Sequence, residues 1–362
     1  MQNSQQPVLA VDVMGSDKGP DEILEGIYLA LKTPTSLGYS VILVGDESVI
    51  RPALGHRRFR PLLPRVEIFH AGEVIAMEES PTKVLRQKKD ASMARAVELV
   101  RDGKADGALS CGNTGALVAL GTIKLRPMDH LERPTLATIL PTIGRHFVLL
   151  DVGANPEPTA RQLVHNALLG AHYSRVALKT PSPRVGLLSI GTEEGKGNGL
   201  VQRTHEMLKE LGGIVDYAGL IEGFQLFQEG TNGVDVVVCD GFVGNVLLKS
   251  IESLAKRLKG FLRKELLRNP LRIFGCLFLG GALRTVRREL SGEKYGGAPL
   301  LGLNGALFKA HGASNRREIC HAILIAQRFL RSGHRDELRN LIARTNEILS
   351  MPDGAGGLEI KK

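Results

Sequence analysis

Residues 183–198 read PRVGLLSIGTEEGKGN, and the change of pattern inside that stretch decides the fold. The run 185–190 is short and almost wholly apolar, as a strand covered on both faces must be. It stops at Gly191, a polar glycine-rich turn carries the chain to Asn198, and 200–211 takes up helical spacing. Strand, glycine turn and helix together form the unit from which parallel sheets are built.

The unit recurs in both directions. Strand-like runs occupy 8–13, 40–44, 66–69, 107–110, 136–140, 147–151 and 234–240, with helical spacing over 21–32, 81–102, 159–175 and 243–259. This alternation predicts a three-layer α/β/α domain with a largely parallel sheet and helices on both faces. With no internal repeat and no low-complexity linker, 1–350 reads as one domain, and 351–362 is expected to be a disordered tail.

Composition narrows the function. Of 362 residues 43% are hydrophobic and 23% charged, enough apolar material for a large core. Aromatics are 4% and Trp is absent, which argues against base-stacking surfaces and so against a nucleic-acid partner. The net charge of +9 suits an acidic partner, whether nucleic acid, anionic lipid, a phosphorylated substrate or an acidic protein, or is simply that of a basic surface. Cys111, Cys239, Cys276 and Cys320 form no C-x-x-C pair, and no H-E-x-x-H occurs, so neither structural zinc nor another metal site is expected. No signal peptide and no membrane-spanning apolar run is visible, and the expected location is cytoplasmic.

Five strands end in small polar turns, at 12–17, 110–115, 151–155, 191–198 and 240–245. In an open α/β sheet such turns are expected to gather at the carboxyl edge, where ligands bind. Gly112 and Gly115 would let backbone N–H groups meet an anion at the start of a helix at 116–123; Asn113 or Thr114 capping that helix is the plain alternative. Lys196, flanked by glycines, is a phosphate or oxyanion partner or else an ordinary solvated lysine. Neither a Walker motif nor a dinucleotide fingerprint is present. Cys111 could carry an acyl thioester or be a small buried cysteine. Without a G-x-S-x-G elbow, the chain offers anion-binding loops and no evident covalent nucleophile, which suits a reaction whose nucleophile is a substrate.

Several stretches together resemble one family. They are VDVMGSDKGP from Val11, SCGNTGAL at 110–117, RPTLA at 133–137, LLDVGAN at 149–155, the 183–198 segment, VCDGFVGNVLLK at 238–249, YGGAPLLGL at 295–303 and KAHGAS at 309–314. Their order and spread resemble the acyl-ACP:phosphate acyltransferases of phospholipid synthesis, the PlsX family. The resemblance implies a fold similar to the isocitrate and isopropylmalate dehydrogenases and phosphotransacetylase, and a homodimer. It implies transfer of a fatty acyl group from acyl carrier protein to inorganic phosphate, without a redox cofactor. The acyl phosphate would pass to a membrane glycerol-3-phosphate acyltransferase. By motif position, Lys196 and Asn245 are the implied catalytic residues. Asp12, Gly15, Asn113, Thr114, Asn155, Thr192, Asn198, Asp240 and Gly241 are implied to shape the phosphate and substrate pocket. Cys111 and Ser16 depart from the family's usual alanine and glycine. A metal- and NAD-dependent decarboxylating dehydrogenase and a non-enzymatic basic membrane-binding module are the rival readings.

The segment 254–290 is set apart by its composition. Leu254, Leu258, Phe261, Leu262 and Leu266 share a helical face, amid Lys256, Arg257, Lys259, Arg263, Lys264, Arg268 and Arg272. Pro270 interrupts, and 273–283 is again apolar. A basic amphipathic pair fits an anionic membrane surface, with Leu258, Phe261, Leu262 and Phe274 as contacts; packing on a dimer partner is the alternative. For the acidic carrier, Arg57, Arg58, Arg60 and Lys83, Arg86, Lys88, Lys89 are candidate docking charges, or simply solvated faces.

Overall fold

The computed structural model describes residues 6–33, 39–142, 144–227, 234–282, 297–331 and 335–350. Expectations for 283–290 and the 351–362 tail lie outside the described residues. The chain runs β1 (Val8–Asp12), α1 (Pro20–Lys32), β2 (Ser40–Gly45), α2 (Glu47–Leu54), β3 (Val66–His70), α3 (Pro81–Gln87), α4 (Ser92–Arg101), β4 (Gly107–Ser110) and α5 (Thr114–Lys124). It continues through β5 (Thr135–Thr142), β6 (Arg145–Leu150), α6 (Ala160–Leu178), β7 (Arg184–Ser189), α7 (Gly199–Glu210), β8 (Asp216–Glu222), β9 (Val236–Val238), α8 (Gly241–Leu266) and α9 (Pro270–Phe278). Last come β10 (Ala298–Leu301), β11 (Ala306–Lys309), α10 (Arg316–Arg331) and α11 (Arg335–Ile348).

All these strands join one 11-stranded sheet in the order β3-β2-β1-β4-β11-β10-β5-β6-β9-β7-β8. Both faces are covered. Leu9 and Val11 of β1 pack with Ile319 and Ile323 of α10, while Ala10 between them packs with Val97 of α4 and Leu117 of α5. On the other half, Ala137 and Ile139 of β5 meet Leu163, Val164 and Ala167 of α6. The alternating strand pleat divides these residues between two helical layers.

Three expectations need correction. The 81–102 helix is two helices. Gly72 N–H donates to the Asp90 carboxylate at 2.8 Å and Ala91 bridges to Glu73, so 88–91 is drawn out of helical geometry. Three strands were not expected: β8, an edge strand with a register shift beside Val185 and Gly186, and the four-residue β10 and β11. Finally, the sheet is largely parallel as expected, but in two blocks, and the five turns do not gather at one edge. β10 is antiparallel to β11 and to β5, and β5 is antiparallel to β6, so the blocks run in opposite senses. The turns after β1 and β4 therefore leave one edge of the hydrogen-bonded ladder, and those after β6, β7 and β9 leave the other. A β-hairpin and antiparallel β10 cause this, and neither was visible as a strand pairing in the apolar pattern.

α8 joins the two edges. It starts jammed against the turn that follows β6: a Cβ on Gly244 would lie 1.9 Å from the Asp151 carbonyl oxygen, and one on Gly241 2.6 Å from that of Asn155. Leu247, Leu248 and Ile251 then pack on the core shared with β4, β5, β6 and β9. Beyond them the helix emerges from the body, leaving Leu254 61% and Phe261 60% exposed. Asn269 caps the following helix by accepting from Arg272 N–H, and Pro270 occupies its first turn, where no N–H is needed.

Two glycines in this one helix should behave oppositely. Gly244→Ala forces the helix off the turn and should cost about 1–3 kcal/mol or more, as overpacking does. Gly260→Ala, with nothing within 4 Å of its added Cβ, should gain roughly 0.5–1 kcal/mol through helix propensity. Urea unfolding of both variants measures the contrast.

Candidate functional site

Asp151, wholly buried, organises one strand-end group. Its Oδ1 accepts from Leu136 N–H at 3.1 Å, Gly153 N–H at 3.0 Å and Ala154 N–H at 2.9 Å, and its Oδ2 accepts from Asn155 N–H at 2.6 Å. Burial pushes this carboxyl up, and the four N–H donors pull back against that shift. The turn is thus closed from inside. Asn155 spends its side-chain amide on Gln162 Oε1 at 2.8 Å, and Gln162 completes a capping box with Thr159 at the start of α6. Asn155 therefore fastens the turn to a helix.

Asn245 lies over this turn. Its Nδ2 donates to the Val152 carbonyl at 3.1 Å, and a Cβ on Gly153, where φ is +130°, would stand 2.5 Å from that nitrogen. Asp240 caps α8 by accepting from Val243 N–H at 2.8 Å, and Gly241 N–H donates to the Asn155 carbonyl at 2.9 Å. Continuing the β7–β9 register from Leu187 opposite Val238 puts Ile190 level with Gly241. The loop bearing Thr192, Lys196 and Asn198 thus leaves the sheet beside the start of α8. All three are exposed. Asn198 caps α7 through Val201 N–H at 3.0 Å, and Gln202 Nε2 holds the loop at the Gly195 carbonyl, 2.7 Å. Gly195 and Gly197 have φ of +85° and +92°. Lys196 has no ion-pair partner among the described residues. The Ser189 hydroxyl below it, 3.2 Å from where a Gly197 Cβ would be, is buried and unpaired.

The second group stands at the ends of β1, β4 and β11. Asp12, 1% exposed, accepts from Met14 N–H at 3.1 Å and from the Ser110 hydroxyl at 2.6 Å; Ser110 Oγ accepts in turn from Gly112 N–H at 3.0 Å. Gly15 fills the gap, since a Cβ there would be 2.6 Å from Asp12 Oδ2 and 2.8 Å from Gly112 N. Burial pushes the Asp12 carboxyl up. Lys309 Nζ donates to the Cys111 carbonyl at 3.1 Å and to the Ala310 carbonyl, and burial pushes its ammonium down. Burial drives the Cys111 thiol up to about 12, so it remains protonated at neutral pH, as a small buried cysteine does. Asn113 Oδ1 caps α5 through Ala116 N–H at 3.0 Å, while its amide donates to the Met77 and Glu79 carbonyls at 2.8 and 2.9 Å. The capping alternative is the geometry found, with Thr114 as the first helical residue.

The two groups meet through α8. Asn245 touches the Asp151 turn, and Glu252, seven residues on, is within electrostatic reach of His311 just past β11 and of Glu318 on α10. The helix rises roughly 10 Å over that interval. The candidate residues thus form two clusters along the proximal half of one helix. Asp151, Lys309 and Lys249 were missed as candidates, although each stands in a quoted motif. Among the described residues, no three His, Cys, Asp or Glu side chains gather as a metal site requires. An open cleft of about 690 Å³ beside Arg175, Lys209 and Tyr217 sits at the amino ends of β7 and β8, away from both clusters.

The sequence matches the fatty acid synthesis protein family over residues 8–336. It is 41% identical over 325 residues to a phosphate acyltransferase of Trichlorobacter lovleyi, covering 90% of this chain and 91% of that one. It is 40% identical over 341 residues to a phosphate acyltransferase of Nitratidesulfovibrio vulgaris, covering 94% and 96%. In fold it is similar to the EutD phosphotransacetylase from Staphylococcus aureus, with a TM-score of 0.59, 15% identity and coverage of 91% and 95%. A phosphotransacetylase from Streptococcus pyogenes gives 0.59 at 16% identity, with coverage of 90% and 94%.

Asp151→Asn preserves size but turns an amide donor toward N–H groups. Loss of about 2–4 kcal/mol is expected from donors left unpaired in a buried turn. Chemical denaturation monitored by circular dichroism checks it.

Proposed function

The chain belongs to the phosphate acyltransferase family, and from that premise we propose that it moves a fatty acyl group from acyl carrier protein onto inorganic phosphate. The observation that carries the site assignment is the placement of Lys196, unpaired among the described residues, on a glycine-held loop beside Asn245 and the start of α8. A phosphate oxygen attacks the thioester carbonyl. The new C–O bond forms as the C–S bond breaks, and the proton of hydrogen phosphate leaves with the thiol of the carrier's arm. Oxidation states do not change. Lys196 neutralises the phosphate. Asn245 uses one amide N–H on Val152 and keeps a second for phosphate or for the oxyanion. Thr192 and Asn198 border the phosphate; Asp240, Gly241, Asn155 and the Asp12, Gly15, Asn113 and Thr114 group hold the surrounding backbone in shape.

The reading extends to location and partners. The protein acts as a cytoplasmic homodimer associated peripherally with a membrane surface, and delivers acyl phosphate to a membrane glycerol-3-phosphate acyltransferase. No helix among the described residues is long and apolar enough to cross a membrane. The exposed Leu258, Phe261, Leu262 and Phe274 support contact with lipid. Greasy acyl phosphate released beside lipid has a short path to its next enzyme.

Incubation with acyl carrier protein thioester and phosphate should yield acyl phosphate by mass spectrometry; its absence overturns the proposal. Lys196→Ala should keep its fold and lose on the order of a hundred- to a thousand-fold in kcat. A near-normal kcat would return Lys196 to the surface residues. Leu258→Glu with Phe261→Glu should abolish flotation with anionic vesicles while the oligomeric state, by light scattering, stays unchanged. Unchanged flotation, or loss of the oligomer, overturns the membrane contact.

A further inference from the structure

α8 carries a stripe that the apolar periodicity does not use. Asn245, Lys249, Glu252, Lys256, Lys259 and Arg263 recur at intervals of three or four residues and so line one face of the helix. Leu254, Leu258 and Phe261 occupy the opposite face. The first stripe residue lies on the candidate active-site turn, and the last is roughly 27 Å further along the helix axis. All but Asn245 are exposed, and the four cations have no ion-pair partner among the described residues. Acidic neighbours are few: Glu265 is engaged by Arg268 and Arg272, at 3.4 and 2.6 Å.

The other basic runs fit a docking role less well. Arg58 is paired with Glu25, Lys83 with Glu79 at 3.4 Å, and Lys88 with Glu73 at 4.0 Å. Arg57 and Arg60 lie at the amino end of β3, the outermost strand, seven strands from β6 in the sheet and so roughly 34 Å from the Asn245 turn at ordinary strand spacing. A carrier seated there could not bring a tethered thioester to Asn245.

We infer that the Lys256–Lys259–Arg263 face of α8 is the docking surface for the acidic carrier protein, with Lys249 lying beside the carrier's flexible arm on its way to Asn245. This rests on the carrier-linked donor of the proposed function. The acidic carrier pairs with the distal cations. The Asn245–Lys256 interval, about 16 Å, is the span the arm must cross. Charges at such a rim act on encounter rate and salt dependence more than on the chemical step. Because apolar and cationic faces are opposed on one helix, the protein can rest on lipid and hold its carrier at the same time.

The test compares wild type with the Lys256→Glu, Lys259→Glu, Arg263→Glu triple variant, using acyl carrier protein and the small thioester acyl-pantetheine as donors. The triple variant should raise KM for the carrier donor by roughly tenfold or more and flatten its salt dependence, with kcat/KM for acyl-pantetheine unchanged. The corresponding triple Gln variant should give a smaller rise in the same direction, and Leu258→Glu with Phe261→Glu should leave carrier KM unaltered. Unchanged carrier KM in the triple variants overturns the surface, and so does a loss of anionic-vesicle flotation without a change in carrier KM. Wild type that uses acyl-pantetheine but not the carrier overturns the donor reading itself, a result visible before any variant is made.

Discussion

The contact between the start of α8 and the turn after β6 is the constraint on which the rest depends. Gly244 has no room for a side chain because the Asp151 carbonyl is already there, and Gly241 is pressed on Asn155 in the same way. The turn tolerates this pressure because the Asp151 carboxylate holds four of its surrounding N–H groups. A buried carboxylate would otherwise carry a large desolvation cost. Spent on backbone donors, it sets the position of Asn245 to within the slack of a hydrogen bond.

From that fixed start the direction of α8 follows, and with it the relation between the two strand-end clusters. The hydrogen-bonded ladder sends the ends of β1 and β4 to one edge and those of β6, β7 and β9 to the other. A helix packed across the intervening strands brings Asn245 and the His311 loop within a few turns of each other. Preorganisation here is mostly backbone work. Asp12, Asn113, Asn198 and Asp240 spend side-chain oxygens on backbone N–H groups close by in the chain, and Asn155 spends its amide on the Gln162 side chain. Among the described residues Lys196 and the second amide hydrogen of Asn245 are not spent in this way, and under the proposed function they are the donors open to a substrate.

Beyond Ile251 the same helix changes role. Among the described residues its apolar side has no core to cover, and Lys256, Lys259 and Arg263 on its cationic side have no ion-pair partner. A helix polar on one face and apolar on the other, projecting from its domain, is stable only with a partner or an interface. The opposed faces offer two such surfaces at once, one apolar and one cationic.

The sequence by itself determined the layered α/β architecture, the sites of the glycine turns and the family. Each depends on short-range pattern, namely apolar runs, helical spacing and ordered motifs. It also marked the 254–266 helix as amphipathic. Tertiary structure alone decided which turns face which, because strand sense depends on the pairing of β10, β5 and β6, segments whose local composition is that of any buried strand. It alone separated structural from available polar groups: Asn113 and Asn155 look like ligand residues in their motifs and are consumed by caps and turns, whereas Asp151 and Lys309 act from burial. Hydrogen-bond partners many residues distant leave no periodic trace in a single chain, so these roles had to be read from the folded molecule.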